Sequence, residues 1–582
     1  MANNAELIAQ CEAKAKQWLT PAFDEQTRKD VQAMIDDEDK TNLIESFYKD
    51  LEFGTGGLRG IMGAGSNRMN IYTVGMATQG FANYLKKNFK DKEQISTVVC
   101  YDCRNNSDVF AKKVADIFSA NGIKVYLFEE MRPTPECSFA IRYFGAQGGV
   151  NLTASHNPRE YNGYKAYWED GAQVLAPHDK GIIDEVNKVK VEDVKFQGNP
   201  DLIQLVGEDV DKPYLEKIKT LCIDPEVIKH QHDLSIVYTP LHGTGMTMIP
   251  RSLKFWGFDN VHCVKEQMIK NGNFPTVDRP NPEFAEALTL GLRDAKAIDA
   301  DILMASDPDA DRVGMACKND KGEWVLINGN QTCLLFLWYI ITNRQAVGKM
   351  QPTDFIVKTI VTTEVIRKIA EKQHIEMRDC YTGFKWIANE IRVSEGKQQY
   401  IGGGEESYGF LAEDFVRDKD AVSACSLLAE ICAYAKDHGK TLYDILMDIY
   451  TEYGFSKEHT INVERPGKSG AEEIQQMMAN FRQNPPKELG GSKVILWKDY
   501  KTLEATDVQG NKTKLDMPET SNVLQWFCDD DTKVSVRPSG TEPKIKFYIE
   551  VKGVMNSASE YEKLDAEGTK KVEAIKKSLG LE

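Results

Sequence analysis

The stretch Asp307-Pro308-Asp309-Ala310-Asp311-Arg312 sets three carboxylates at alternate positions of a short loop, directly after the apolar run 300–305. At ~4 Å two such charges repel by about 4 kcal/mol at an effective dielectric of 20, so three converging on one point call for a hard divalent cation. Oxygen-only ligands on a short loop suit Mg²⁺, which leaves coordination positions for a phosphoryl oxygen. An EF-hand is excluded, because Arg312 stands at the glycine position and Lys318 at the twelfth. Taken alone, the loop also fits an acidic surface turn.

A second loop, Thr153-Ala154-Ser155-His156-Asn157-Pro158, follows the strand-like GGVNLT and holds a serine beside a histidine, ten residues before Lys165. These are the ingredients of an activated or phosphorylated nucleophile. The G-x-S-x-G elbow of serine hydrolases is missing, which favours a serine that carries a phosphoryl group over one that carries an acyl group. Near the C-terminus, Arg537-Pro538-Ser539-Gly540-Thr541-Glu542-Pro543-Lys544 combines a guanidinium fork, two hydroxyls and a glycine, a set that cradles phosphate without being a Walker A loop. Gly402-Gly403-Gly404-Glu405-Glu406-Ser407-Tyr408-Gly409 places carboxylates and a hydroxyl between glycines, acceptors of the kind that read the hydroxyls of a polyol. Each of the three, read alone, also fits an ordinary polar turn.

Such loops need elements to hold them. Three stretches share one layout of β-rich run, polar or glycine-bearing turn, amphipathic helical stretch and second β-rich run, starting at Ser96, Leu234 and Asp354. Their starts lie more than a hundred residues apart, too far for a solenoid and right for one unit per domain. The pattern predicts an α/β protein: three similar α/β domains followed by a smaller α+β domain, whose helical opening is AEEIQQMMANFRQ and whose short strands lie near Lys493 and Val534. The charged stretch 184–199 reads as a domain edge and 464–470 (ERPGKSG) as a link.

The 582 residues give a prior of three to five domains at roughly 100–200 residues each. With 41% hydrophobic and 27% charged residues the composition is globular, excluding disordered, collagenous and coiled-coil classes. Lys+Arg 72 against Asp+Glu 88 leaves a net charge of −16, which repels nucleic acid and anionic membranes, so neither is an expected partner. Any phosphate must be held by local positive groups. The apolar run Cys333 to Ile341 is about half of the roughly 20 residues a membrane helix needs and reads as core. The N-terminus has neither the h-region of a secretory signal nor the pattern of a transit peptide, and twelve scattered cysteines read as free thiols, so a cytoplasmic location is expected. The pair Cys100 and Cys103 has no second pair at zinc-finger spacing.

Taken in order, TASHNP, DPDADR, GEESYG and RPSGTEP resemble the four active-site loops of the α-D-phosphohexomutase superfamily, one from each of four domains. The resemblance extends to Phe53-Gly54-Thr55-Gly56-Gly57-Leu58-Arg59-Gly60 and so covers nearly the whole chain. It implies mixed sheets between helices and a central active-site cleft, with divisions at 1–205, 206–325, 326–463 and 464–582 that carry the phosphoserine, metal, sugar and phosphate loops in turn. It implies that Ser155 bears the transferable phosphoryl group and that Asp307, Asp309 and Asp311 bind Mg²⁺ together with that phosphate. His156, Lys165, Arg59, Arg312 and Lys419 match positions lining the catalytic centre, with Lys165 chosen as proton carrier and His156 the other candidate base. Glu405 and Ser407 match the pair that binds sugar hydroxyls, Thr382-Gly383 the loop that helps select the sugar, and Arg537, Ser539, Gly540 and Thr541 the distal phosphate loop.

The activity this implies is interconversion of α-D-glucose 1-phosphate and glucose 6-phosphate, with glucose 1,6-bisphosphate as activator and intermediate and phosphosugars as the small-molecule partners. The two phosphate loops fit that activity, since a mutase must hold the non-reacting phosphate while the other is exchanged. The alternatives are a phosphopentomutase, a glucose-1,6-bisphosphate synthase and a non-catalytic phosphosugar-binding regulator. Monomer and dimer are equally compatible with the sequence.

Overall fold

The computed structural model describes residues 2–54, 56–465, 467–539 and 544–581. Three stretches alternate short β-branched strands with amphipathic helices, and each folds into a mixed sheet covered by helices. The first strands of the three units, Ser96–Tyr101, Ile236–Thr239 and Asp354–Thr359, are buried at every position, as expected of parallel strands with both faces covered. Each pairs in parallel with two neighbours: Lys124–Phe128 and Gly148–Leu152 in the first unit, Val261–Cys263 and Ile302–Ser306 in the second, Glu376–Cys380 and Gln399–Gly404 in the third. An antiparallel fourth strand then pairs with the later of these in the chain: Tyr161–Trp168, Val313–Lys318 and the two-residue Phe410–Leu411.

The same four-strand order therefore occurs three times, and each time one loop joins the third strand to the fourth. Those loops carry Ser155, the three aspartates and Glu405. Edge strands complete the sheets: Gly57–Ile61 and Ile203–Val206 in the first, Trp324–Ile327 in the second. The fourth domain is an eight-stranded sheet with antiparallel pairings, packed with helices Gly467–Gln483 and Tyr561–Ser578. Helices Ala2–Gln17, Glu25–Asp36 and Thr41–Phe47 add a small core of their own around Trp18, Phe23 and Phe47, against the first domain at Tyr72.

The strand pairings shift the divisions expected from sequence. Strand Ile203–Val206 belongs to the first sheet, Trp324–Ile327 to the second, and Phe455–Glu464 runs beside Lys544–Gly553 in the fourth, so breaks at 205/206, 325/326 and 463/464 would cut strands. The last strand is buried only at its first two residues, Phe455 and Ser456, and runs on through half-buried and exposed positions to Glu464, where the expected link begins. We place the divisions after Val206, after Ile327 and at Gly454. The expected link 464–470 contains Pro466, outside the described residues, and the start of a helix. The run Cys333 to Ile341 lies in helix Gly329–Ala346, buried in the core shared by the second and third domains. No helix among the described residues is long and apolar enough to cross a membrane.

The fourth domain docks on the third through buried charge. Lys533 Nζ lies 2.8 Å from Glu364 Oε1 and 3.0 Å from Glu550 Oε2, and it donates to the carbonyls of Ile360 and Thr362. Glu550 Oε1 accepts from the Glu364 amide at 2.7 Å. Ile360, Val361, Tyr381, Tyr500, Val523 and Tyr548 form an apolar cluster across the same junction. Removing one partner of a buried ion pair costs about 3–5 kcal/mol, so Lys533→Met is expected to lower thermal stability sharply. Burial alone would raise Glu550, but Lys533 and Lys552 prevail and hold it down at about 2, against an ordinary value of 4.5. A carboxylate with a depressed folded pKa stabilises fully above 4.5 and loses that contribution as pH falls towards about 2. Thermal melts across that window should show the loss in the parent protein and a shallower slope in Lys533→Met.

Candidate active site

Strand Gly148–Leu152 ends in the serine loop. Ser155 sits at φ 51, a left-handed conformation that a non-glycine residue holds only under constraint. Its amide donates to Thr153 Oγ1 at 2.8 Å. The larger constraint is Arg104, whose buried guanidinium donates to four carbonyls of the loop: Ser155 (2.6 Å), Asn157, Pro158 (2.9 Å) and Tyr161 (3.1 Å). Arg104 stands at the end of the first strand of the unit, where Asp102 accepts from its amide at 2.9 Å and lies 3.4 Å from its Nε. The loop thus presents Ser155 Oγ to Asp307 Oδ2 at 2.9 Å and to His156 Nδ1 at 3.2 Å.

Strand Ile302–Ser306 ends in the aspartate loop, where Ala310 has φ 50. Asp307 Oδ1 accepts from the amides of Asp311 (3.1 Å) and Arg312 (3.0 Å), which closes the loop on itself. Asp309 Oδ2 accepts from Lys165 Nζ at 2.7 Å and Thr134 Oγ1 at 2.7 Å; Asp311 Oδ2 faces Lys165 Nζ and Lys419 Nζ, each at 3.0 Å. Ligand oxygens of the three aspartates lie within 4.8 Å of one another. Among the described residues they form a buried cluster fit for a metal, and Asp309 Oδ1 and Asp311 Oδ1 are buried without a hydrogen-bond partner. Oriented, unsatisfied carboxylate oxygens in an all-oxygen set fit a hard cation such as Mg²⁺.

Charge balance explains the rest. Burial, then Asp311 and Asp309, pushes the Asp307 carboxyl well above the usual range. Burial would also raise Asp309, but the Lys165 ammonium outweighs it and holds that carboxylate ionised. Lys165 is held charged in return: burial opposes its charge, but Asp309 and Asp311 overcome it and raise its pKa. Half-buried His156 is pushed well below the ordinary range by its enclosure and by Arg312 and Arg59, so its imidazole is neutral. Arg59, on strand Gly57–Ile61, is exposed and donates to Asn157 Oδ1 at 3.3 Å. Arg312 is ion-paired with Glu283, and the amide after it, Val313 N–H, donates to the Tyr408 carbonyl at 3.1 Å, which fastens the aspartate loop to the Glu405 loop.

Strand Gln399–Gly404 ends in the third loop. Buried Glu405 accepts from the Gly383 amide through Oε1 at 2.8 Å, and burial raises its pKa against the opposing pull of Lys419. Thr382 Oγ1 accepts from Arg537 of the fourth domain, so Thr382, Gly383, Glu405 and Arg537 form a second cluster. Ser407 is half-buried, and the Ser539 amide donates to the Lys544 carbonyl at 2.8 Å. Gly540, Thr541 and, near the N-terminus, Thr55 lie outside the described residues. Two glycines are required by close approach: a Cβ on Gly409 would sit 2.1 Å from Lys419 Cδ, and one on Gly329 would sit 2.0 Å from the Glu406 carbonyl oxygen.

The structure joins Ser155, His156, Lys165, Lys419 and the three aspartates in one cluster, and Thr382, Gly383 and Glu405 with Arg537 in another. Sequence reasoning missed Arg104, Thr134, Asn151 and Asp418, the last accepting from Tyr167 and Gln173 at 2.9 Å each. Position at strand ends was the available signal for Arg104; the others depend on contacts between distant parts of the chain.

Comparison with known proteins fits this arrangement. Residues 50–193, 212–322 and 328–453 match the phosphoglucomutase/phosphomannomutase alpha/beta/alpha domains I, II and III. A phosphoglucomutase of Staphylococcus haemolyticus is 35% identical over 525 residues, 89% of this chain and 93% of its own length. The chain belongs to the phosphoglucomutase/phosphomannomutase family. Membership in this family, part of the α-D-phosphohexomutase superfamily, makes the protein an intramolecular phosphotransferase. A phosphoglucomutase of Staphylococcus aureus (strain MRSA252) is 36% identical over 513 residues, covering 87% of this chain and 91% of that one. The family fold is also seen in a phosphomannomutase structure from Thermus thermophilus, described there as putative, at 22% identity and TM-score 0.65, covering 89% of this chain and 99% of that one.

Proposed function

We propose that the protein is a phosphoglucomutase, interconverting α-D-glucose 1-phosphate and glucose 6-phosphate through a phosphoserine at Ser155 and a glucose 1,6-bisphosphate intermediate. The observation that carries this reading is Ser155 Oγ, 2.9 Å from Asp307 in the aspartate cluster, in one chain with a second cluster in which the Arg537 guanidinium meets Thr382 beside Glu405. Relatives named phosphoglucomutase support the hexose reading. Mg²⁺ held by Asp307, Asp309 and Asp311 would supply neutralisation of charge on the transferring phosphoryl group.

The chain's own residues account for the remaining roles. Phosphoserine 155 gives its phosphoryl group to the free hydroxyl of the bound monophosphate; the P–O bond to Ser155 breaks, a P–O bond to the sugar forms, and the hydroxyl proton passes to a base. Lys165 and His156 are the two candidate carriers of that proton: Lys165 is held as an ammonium among the carboxylates and must first give up its own proton, whereas neutral His156, 3.2 Å from Ser155 Oγ, can accept one directly. Lys419 and Arg312 add positive charge, while Arg59 braces Asn157 beside the serine. Glu405, Ser407 and the Thr382-Gly383 turn read the sugar hydroxyls, and Arg537, Ser539, Gly540 and Thr541 hold the distal phosphate. The bisphosphate then turns end over end and returns its other phosphoryl group to Ser155. We place the enzyme in the cytoplasm, where its twelve free cysteines stay reduced.

The test is conversion of glucose 1-phosphate to glucose 6-phosphate with Mg²⁺ and trace glucose 1,6-bisphosphate, beside ribose 1-phosphate and, as a synthase control, 1,3-bisphosphoglycerate as phosphoryl donor. Preference for the hexose is expected. Preference for the pentose, or bisphosphate formation alone, would replace this substrate assignment.

A further inference from the structure

Asp309 is gripped from the first domain by a residue outside the four sequence motifs. Thr134 opens helix Thr134–Phe144 and is completely buried. Its hydroxyl donates to Asp309 Oδ2 at 2.7 Å, and its amide donates to the Asp309 carbonyl at 2.8 Å. The same hydroxyl accepts from Asn151 Nδ2 at 2.7 Å. A carboxylate only accepts, so the single hydrogen of Thr134 is committed to Asp309, and Asn151 must then offer its NH₂. Asn151 is likewise buried, and it pairs across the sheet with Lys165, which holds the same Oδ2 at 2.7 Å.

Both partners of Asp309 therefore engage one oxygen, and Oδ1 is left without one. Helix capping does not explain the hydroxyl, since the N-terminus of this helix has no side-chain cap bond. One turn on, Ser138 Oγ accepts from the Arg417 amide at 2.8 Å, so the helix also fastens the segment that leads to Lys419.

We propose that Thr134, oriented by Asn151, is a positioning residue that fixes the Asp309 carboxylate with Oδ2 tied to the first domain and Oδ1 presented to the divalent cation. The inference rests on the metal-site part of the functional reading. Partners that orient a metal ligand typically alter affinity 10–100-fold when removed, so Thr134→Val is expected to bind Mn²⁺ at least about tenfold more weakly by electron paramagnetic resonance titration without substrate. The Mg²⁺ concentration for half-maximal activity should rise in parallel while kcat at saturating Mg²⁺ changes far less. Thr134→Ser, which keeps the hydroxyl, should restore affinity. Asn151→Ala should weaken binding in the parent but add little in the Thr134→Val background.

Wild-type Mn²⁺ affinity in Thr134→Val, or a serine variant as weak as the valine one, would overturn the proposal. Thr134→Ala serves the same comparison if the valine protein does not fold. Failure of the parent protein itself to bind Mn²⁺ would instead overturn the metal assignment on which the proposal rests.

Discussion

Replacing Ser155 with alanine is expected to reduce conversion of glucose 1-phosphate to glucose 6-phosphate on the order of 10⁴-fold or more, since the proposed mechanism makes Ser155 the covalent carrier of the phosphoryl group. Adding glucose 1,6-bisphosphate should not rescue the variant: with no Oγ there is no acceptor for either phosphoryl group, and the bisphosphate can neither be consumed nor regenerated. The fold should survive, because among the described residues the side chain bonds only to Asp307 and His156. Substrate binding should also persist, as Glu405, Gly383 and Arg537 lie in other loops. The decisive pair of measurements is turnover in the coupled assay and the intact mass of parent and variant after incubation with the bisphosphate. One added phosphoryl group on the parent and none on the variant is the expected pattern, and a Ser155→Ala protein with full turnover would rule out the phosphoserine mechanism.

Arg104→Met should be nearly as damaging for a different reason. It strips one guanidinium from the carbonyls of Ser155, Asn157, Pro158 and Tyr161, and it leaves Asp102 without its cation. Each buried acceptor left unsatisfied costs about 1–3 kcal/mol. The serine loop is the first place that cost can be relieved, because Ser155 already occupies a left-handed conformation that relaxes once its carbonyl is released. A displacement of about 1 Å at a reacting atom can cost roughly 10²-fold in rate, so kcat should fall by about that factor with a smaller change in the KM for glucose 1-phosphate. Lysine should not rescue, since a single ammonium cannot span four acceptors as a planar fork does. Steady-state kinetics with both variants, together with thermal melts, tests this, and parent-like kcat in Arg104→Lys would show that the fork is dispensable.

How far the sequence exposed this site depends on how local each contribution is. The three loops were legible because each concentrates its chemistry within a few residues: alternate aspartates, a serine beside a histidine, a glutamate between glycines. The repeated units were legible at Ser96, Leu234 and Asp354, where buried β-branched runs precede amphipathic helices, and these are the strands on which the sheets are built. The last of the three fourth strands, Phe410–Leu411, is only two residues long and gave no strand pattern to read.

What sequence does not carry is geometry across domains. Thr134 and Asp309 are 175 positions apart, and nothing in either neighbourhood advertises the other. Arg104 follows Cys103 directly, and its part in the site depends on reaching the Ser155 carbonyl 51 positions away. All but the last residue of strand Phe455–Glu464 fell before the expected division at 463/464, because its place in the fourth sheet follows from pairing with residues near the C-terminus.

The three sheets hang their active loops from the same joint, between the third strand and the fourth of each unit. The residues proposed to carry the phosphoryl group, hold the cation and read the sugar thereby fall on separate copies of one scaffold, two of which meet where the Val313 amide donates to the Tyr408 carbonyl. On the proposed reading, a change of sugar has its most direct route through the Glu405 loop and the adjoining Thr382-Gly383 turn, with Gly409 and Tyr408 kept because they abut Lys419 and hold the Val313 amide. A laboratory library confined to those two segments would sample that same route.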